Sequence, residues 1–306
     1  MPMSPTAWTG RTGAGLKSDF HGRCADYTGG VRIQGWWRTA AFSFCLMCLS
    51  MEPAVSQMRG GAVSPPSQSP FRTPLPWILA AADREITVEG DWVSHERVPF
   101  SIAGTSIDRS RASLFIDASH GLGSRVEGSL RLGVQDSVGD DAGGITATDL
   151  DLAIGYSLRG EPGRSLSAFL TTKVPTAPEH HGAGTDETDV GFLLSAGSRG
   201  PRGGSFIAAG LALLGNPLRN GAQDDVARFG AGLWRDFTRG WSGTGEIEGR
   251  AFSRFNNDAT ALHLGLRKRF AARSGHHLSW HVAFVRGLNA ESSRYGLSAG
   301  TTVASF

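Results

Sequence analysis

Residues 149–158 read DLDLAIGYSL. Leu150, Leu152, Ile154, Tyr156 and Leu158 take every second position, with Asp149, Asp151, Ala153, Gly155 and Ser157 between them. Successive side chains of a strand point to opposite faces, so this stretch is a strand with one apolar and one polar face. The pattern recurs on both sides. Val126, Leu130, Leu132 and Val134 oppose Arg125, Glu127, Ser129 and Arg131. Further on, Leu262, Leu264 and Leu266 oppose His263, Gly265, Arg267 and Arg269. In the next run Leu278, Trp280, Val282 and Phe284 oppose His277, Ser279, His281 and Ala283.

About twelve such runs are expected, near 85–93, 109–118, 124–134, 148–158, 164–174, 186–198, 203–214, 226–236, 241–254, 259–270, 277–286 and 294–306. Most span about 9–14 residues, long for a soluble sheet and suited to tilted strands crossing a bilayer. No long stretch carries a helical period, which argues against an α/β fold. Composition agrees. Gly 42 in 306 residues, with 19% charged residues, fits a β-protein better than salt-bridged helices, and 40% hydrophobic content excludes a wholly disordered chain. Lys+Arg 30 against Asp+Glu 28 leaves a net charge of +2, so nothing global points to nucleic acid.

Connections between the runs alternate in length. The stretches 94–108, 135–147, 175–185 and 215–225 are long; 119–123, 159–163, 199–202 and 237–240 are short. The long set carries Asp136, Asp140, Asp141, Glu179, Asp224 and Asp225, and the short set Arg159, Arg199, Arg202 and Arg239. A membrane barrel needs this alternation: long loops outside the cell and tight periplasmic turns. A soluble barrel or sandwich, with its apolar face inward, is the competing design. It has no reason to sort loops by length and charge together.

Targeting signals favour the membrane. Phe42–Leu49 is a short apolar run, preceded by Arg32 and Arg38 and followed by Ala54-Val55-Ser56. Basic residues, an apolar stretch and a small-x-small site make a secretory signal, with the expected cut before Gln57. Some 30 residues precede it, so we expect translation to start at Val31, and we read 1–56 as signal peptide with an over-extended N-terminus. All three cysteines, Cys24, Cys45 and Cys48, lie in this part, leaving no disulfide framework and no cysteine metal site afterwards. Residues 57–84, with Pro65, Pro66, Pro70, Pro74 and Pro76 among Ser, Gln and Gly, read as a flexible linker, and 85–306 as the barrel.

Lys173-Val174-Pro175-Thr176, followed by Gly184-Thr185-Asp186-Glu187-Thr188-Asp189-Val190-Gly191, resembles the porin-like outer-membrane barrels associated with the meta-pathway of phenol degradation. Gly121-Leu122-Gly123-Ser124-Arg125-Val126-Glu127 is similar to their earlier turn and strand. The likeness runs from about residue 109 to the C-terminal Phe306. Ala177 stands where the family has Gly, and Tyr295, Leu297, Ala299 and Val303 are out of phase with Phe306. The resemblance implies uptake of aromatic or other hydrophobic small molecules.

Motifs of chemistry read as structural. Gly296-Leu297-Ser298-Ala299-Gly300 fits G-x-S-x-G but lies within the last strand instead of a strand–turn–helix elbow. A lipid-face hydrolase would need a His beside Ser298, and alternation turns His281 toward the lumen. His180-His181, near Glu179 and Asp186, and His276-His277 read as solvated pairs lacking a third ligand. No phosphate loop, dinucleotide fingerprint or zinc signature occurs, so neither cofactor, metal nor catalysis is expected.

The polar faces carry Arg125, Glu127, Arg131, Asp149, Asp151, Lys173, Asp189, Arg228, Glu246, Glu248, Arg250, His263, Arg267 and Arg269. In a barrel they line or plug the lumen and pair across strands. A hairpin through Asn256-Asn257 would set Arg250 near His263, and Glu246 or Glu248 near Arg267 and Arg269. The expectation is a twelve-stranded transmembrane antiparallel up-and-down barrel among outer-membrane lipids, a passive pore or uptake channel for small molecules. The alternative is a non-conducting structural or surface-interaction barrel.

Overall fold

The computed structural model describes residues 68, 70–96, 109–138, 144–161, 163–177, 187–215, 223–253, 258–270, 276–289 and 292–305. The signal-like segment, residues 57–67, His180-His181 and Phe306 lie outside them.

Twelve long antiparallel strands and one short one form a single sheet. They are β1 (Arg84–Glu96), β2 (Arg109–Gly121), β3 (Val126–Val138), the short β4 (Ile145–Ala147), β5 (Leu150–Glu161), β6 (Arg164–Val174) and β7 (Asp189–Gly200). There follow β8 (Gly203–Gly215), β9 (Gln223–Asp236), β10 (Trp241–Ala251), β11 (Ala259–Phe270), β12 (His276–Gly287) and β13 (Tyr295–Ser305). Each long strand pairs with its sequence neighbours, and β1 pairs with both β2 and β13, closing the ring. The sheet is thus a closed all-β barrel in which every long strand has a neighbour on both sides. β4 continues the line of β5 beside β3, with Thr148 and Asp149 as the interruption. Asp149 Oδ1 accepts from Thr176 N and Ala177 N at 3.1 Å each, which tucks the chain end of β6 against that break.

Exposure follows the period of two. Leu152, Ile154, Tyr156 and Leu158 are 37–55% exposed, while Gly155 on the same strand is buried. Leu264 and Leu266, and Leu297 and Val303, repeat this. Apolar side chains point outward and polar ones inward, the inverse of a soluble core and the arrangement that lipid requires. Aromatic residues mark both ends of the apolar band. Trp92 and Tyr295 meet at 5.8 Å at the long-connection end. At the short-turn end Trp241 and Trp280 meet at 6.0 Å, with Lys268 Nζ 5.2 Å from the Trp241 ring. Such rings suit the headgroup level.

Strands run further into the long side than the alternation implies. Asp136 belongs to β3, and Asp224 and Asp225 belong to β9. Asp224 is fully buried and accepts a hydrogen bond from Ser253 Oγ. Its carboxylate holds the end of β10, where a solvated loop was expected.

The linker reading needs correction from Gln68 onward. Residues 68 and 70–83 fold back into the barrel, with Phe71, Leu75 and Leu79 at 3–6% exposure. Pro70, Pro74 and Pro76 lack N–H groups, so this stretch brings few donors into the interior. Those it does bring find acceptors. Arg72 N and Thr73 N donate to Glu246 at 2.8 Å each. Leu79 N donates to Glu127 Oε2 at 2.8 Å, Leu75 N to Gln68 Oε1 at 2.9 Å and Phe71 N to Gln68 O at 2.9 Å. Gln68 Nε2 in turn donates to Thr73 O at 2.8 Å, so one amide side chain staples the loop across its neck. Proline content signalled a tether only because the sequence could not show these acceptors.

Candidate functional site

The lumen of the short-turn half is filled by this segment. Its contacts go round the wall. Arg72 faces β1, Pro76 O accepts from Ser165 Oγ (2.5 Å) and Ser167 Oγ (2.6 Å) on β6, and Glu127 on β3 holds Leu79. Phe71 meets Phe206 of β8 edge-on at 5.2 Å and Trp234 of β9 at 6.2 Å; Trp77 meets Trp234 at 5.4 Å. Phe71, Leu75, Phe206 and Trp234 form one buried apolar cluster, with Trp77 against it. Phe169, Leu193 and Ala208 form a second, with Ile78 against it. Burial of each such side chain contributes about 1.5–3 kcal/mol.

Glycines in the wall make the space. A Cβ on Gly155 would stand 2.7 Å from Ile78 Cδ1, and one on Gly197 would stand 2.7 Å from the Trp77 ring. A Cβ on Gly230 would collide with the Thr73 side chain, and one on Gly121 with the Ala80 carbonyl. The wall is shaped to the segment.

Charge fixes its upper turn. Arg72 Nη2 lies 2.6 Å from Asp91 Oδ1 and 2.8 Å from Glu89 Oε1, with Arg72 Nη1 3.4 Å from Glu89 Oε2. These side chains are 6–17% exposed. Burial works against the guanidinium charge, but Asp91 and Glu89 outweigh it and raise its pKa above the ordinary arginine value. His281, 1% exposed, places Nε2 3.8 Å from Glu89 Oε1 on the other side.

The expected polar residues divide by height. Near the segment, Arg131 lies 3.8 Å over the Phe115 ring and pairs with Asp117 (3.4 Å) and Asp91 (3.8 Å). Glu246 and Glu127 hold the segment's backbone. Toward the long connections, Lys173 pairs with Asp189 at 2.8 Å and Asp149 at 3.8 Å, and Asp189 Oδ1 accepts from Gly215 N at 2.9 Å. Asp151 stands in register between Arg131 and Lys173, and Arg228 stands opposite Arg250. Two expected lining residues stand on the rim instead. Arg125 is exposed in the tight turn before β3, and Arg269, 44% exposed, pairs with Asp236 at 2.8 Å. Arg125 precedes β3, and Arg269 is the next-to-last residue of β11.

The expected ladder between β10 and β11 has a different register. Arg250 faces Ala259, and Glu246 faces His263. His263 Nε2 lies 3.2 Å from Glu248 Oε1. Arg267 is 1% exposed and faces Ser242 and His281, away from either glutamate. The observed pairing of Arg250 is four positions earlier on β11 than a hairpin through Asn256-Asn257 would set it, and those two residues lie outside the described ones. Ser298 of the G-x-S-x-G run is a 3% exposed lumen residue within β13, facing Asp91 and Ala283 across flat ladders.

Arg72, Gln68, Glu89 and Asp91 complete the site together with His281; alternation turned His281 toward the lumen, but the sequence reading singled out none of the other four as lining. Alternation in Glu85-Ile86-Thr87-Val88-Glu89-Gly90-Asp91 would have found the two acids. Nothing local marks Arg72.

No protein-family model matches the sequence, and no curated protein matches it. Solved structures do resemble it. An outer-membrane channel from Pseudomonas putida F1 superposes with a TM-score of 0.53 at 13% identity, over 75% of this chain and 97% of that one. The NanC porin gives 0.50 at 9% identity, over 72% of this chain and 99% of that one. At such identities the likeness is one of architecture: this chain has the barrel fold of outer-membrane channels and porins.

Proposed function

We propose that the protein is an outer-membrane channel for small molecules, its lumen closed by residues 68 and 70–83. Export through a signal ending near Ser56 would deliver it there. The observation that carries this reading is the nature of the closure. The segment is covalently part of the chain, yet it meets the wall through side-chain contacts and carboxylates, and wall glycines leave room for it. A barrel built only as scaffold could fill its interior with its own inward side chains. The resemblance to phenol-pathway barrels suggests hydrophobic or aromatic solutes, while the charged inner wall favours polar ones.

A non-conducting barrel is the second reading, favoured by the filled lumen itself. Single-channel recording in planar bilayers separates the two. The full chain is expected to show rare openings, and a variant lacking residues 68–80 to show sustained steps. A deletion variant that folds and gives no steps would establish the structural role instead.

A further inference from the structure

Resting on the channel reading above, we infer that Glu89, Asp91 and Glu246 form a lumenal binding site for small guanidinium-bearing solutes, which Arg72 occupies in the closed state. The protein's own cation displays the fit. Asp91 and Glu89 receive the guanidinium at 2.6 and 2.8 Å. A planar fork of N–H donors matches carboxylates in a way that a spherical ammonium does not. The site is not saturated by Arg72. Ser113 Oγ, on a side chain 2% exposed, has no hydrogen-bond partner among the described residues. Ser113 faces Asp91 in register, so this unmet hydroxyl belongs to the cup.

Withdrawal of the segment would release more acceptors. Glu246 spends Oε2 on Arg72 N and Oε1 on Thr73 N, and both oxygens would then face the lumen. The wall would keep its shape, because Glu89 and Asp91 are set by ladders to β2 and β13 that do not involve residues 68–83. A buried carboxylate stripped of its partner is unfavourable, so the emptied cup gains by taking a cation from solution. Arg72 is then an internal stand-in for solute, and the two compete for one site.

The test uses the full chain with Arg72→Gly, titrated calorimetrically with methylguanidinium chloride at constant ionic strength, with methylammonium as control. Saturable binding of methylguanidinium is expected, stronger than that of methylammonium. Wild-type protein should bind about tenfold or more weakly, since a tethered competitor holds the site at high effective concentration. Adding Glu89→Gln and Asp91→Asn to Arg72→Gly should abolish it. If Arg72→Gly does not fold, the variant lacking residues 68–80 serves in its place. Absence of binding to a folded variant, or equal binding after the two carboxylates are neutralised, would overturn the site. Conductance of the same samples keeps the two readings apart. A variant that conducts without binding removes the site and leaves the channel; one that binds without conducting removes the channel and leaves the site.

Discussion

Arg72 reaches Asp91 at 2.6 Å although the two residues belong to different kinds of structure, an inserted loop and a wall strand. It ties the inserted segment to β1, and it is made between two nearly buried charges. Breaking a buried pair by removing one partner costs about 3–5 kcal/mol, because the other charge is left behind.

Arg72→Gln should therefore loosen the segment, and Asp91→Asn should act in the same direction. The expected result is a higher frequency of open events in single-channel recordings, with the barrel intact by heat-modifiable electrophoresis. Closed-state behaviour equal to wild type in both variants would show that the apolar clusters alone hold the segment.

Gly230 offers a steric test of the same closure. A side chain there collides with Thr73, so Gly230→Leu should drive the segment off the wall. The chain has no cysteine after Cys48, so Thr73→Cys supplies a reporter within the barrel region. Maleimide labelling of Cys at that position should be markedly faster in the Gly230→Leu background. Unchanged labelling would mean that the wall yields instead.

Facing can be tested on adjacent residues. Ile154 is 55% exposed on the outer surface, and Ala153 turns inward. Ile154→Arg should lose about 2–4 kcal/mol if it lies near the bilayer midplane. Ala153→Arg should lose much less. Denaturant unfolding in liposomes measures both, and equal losses would invert the facing.

Asp149 supports the break between β4 and β5 by accepting two backbone N–H groups. Asp149→Ala should cost about 1.5–3 kcal/mol for each charge-assisted bond lost. Lys173→Met should cost less, because Lys173 sits beside Asp189 in the more open half. Comparison of urea midpoints decides the order.

Alternation made the barrel legible. In Asp149–Leu158 every side chain reports its face, because lipid and lumen demand opposite chemistry at successive positions. The strand ladder repeats this constraint until the ring closes. The site was legible only where it lay on that ladder, as Glu127, Arg131 and Glu246 do. Phe71, Arg72 and Trp77 obey no period. Their positions follow from acceptors and glycines far away in sequence, such as Glu246 for Arg72 N and Gly197 for Trp77, and no local rule relates them. Prolines strengthened the wrong impression, since a chain poor in donors suits a solvated tether and a crowded lumen equally well.

Gln68 N lies 3.2 Å from Glu85 Oε1 at the foot of β1, and the chain rejoins the wall at Asp83 and Arg84. Both feet of the inserted loop thus stand at the same mouth of the barrel. A rope passed through a ring must be pulled along its whole length to come free; a bight pushed into a ring only has to be lifted out. Residues 68–83 are such a bight. Their release crosses no strand and leaves β1 zipped to β13, so opening and reclosing can be repeated without unmaking the ring.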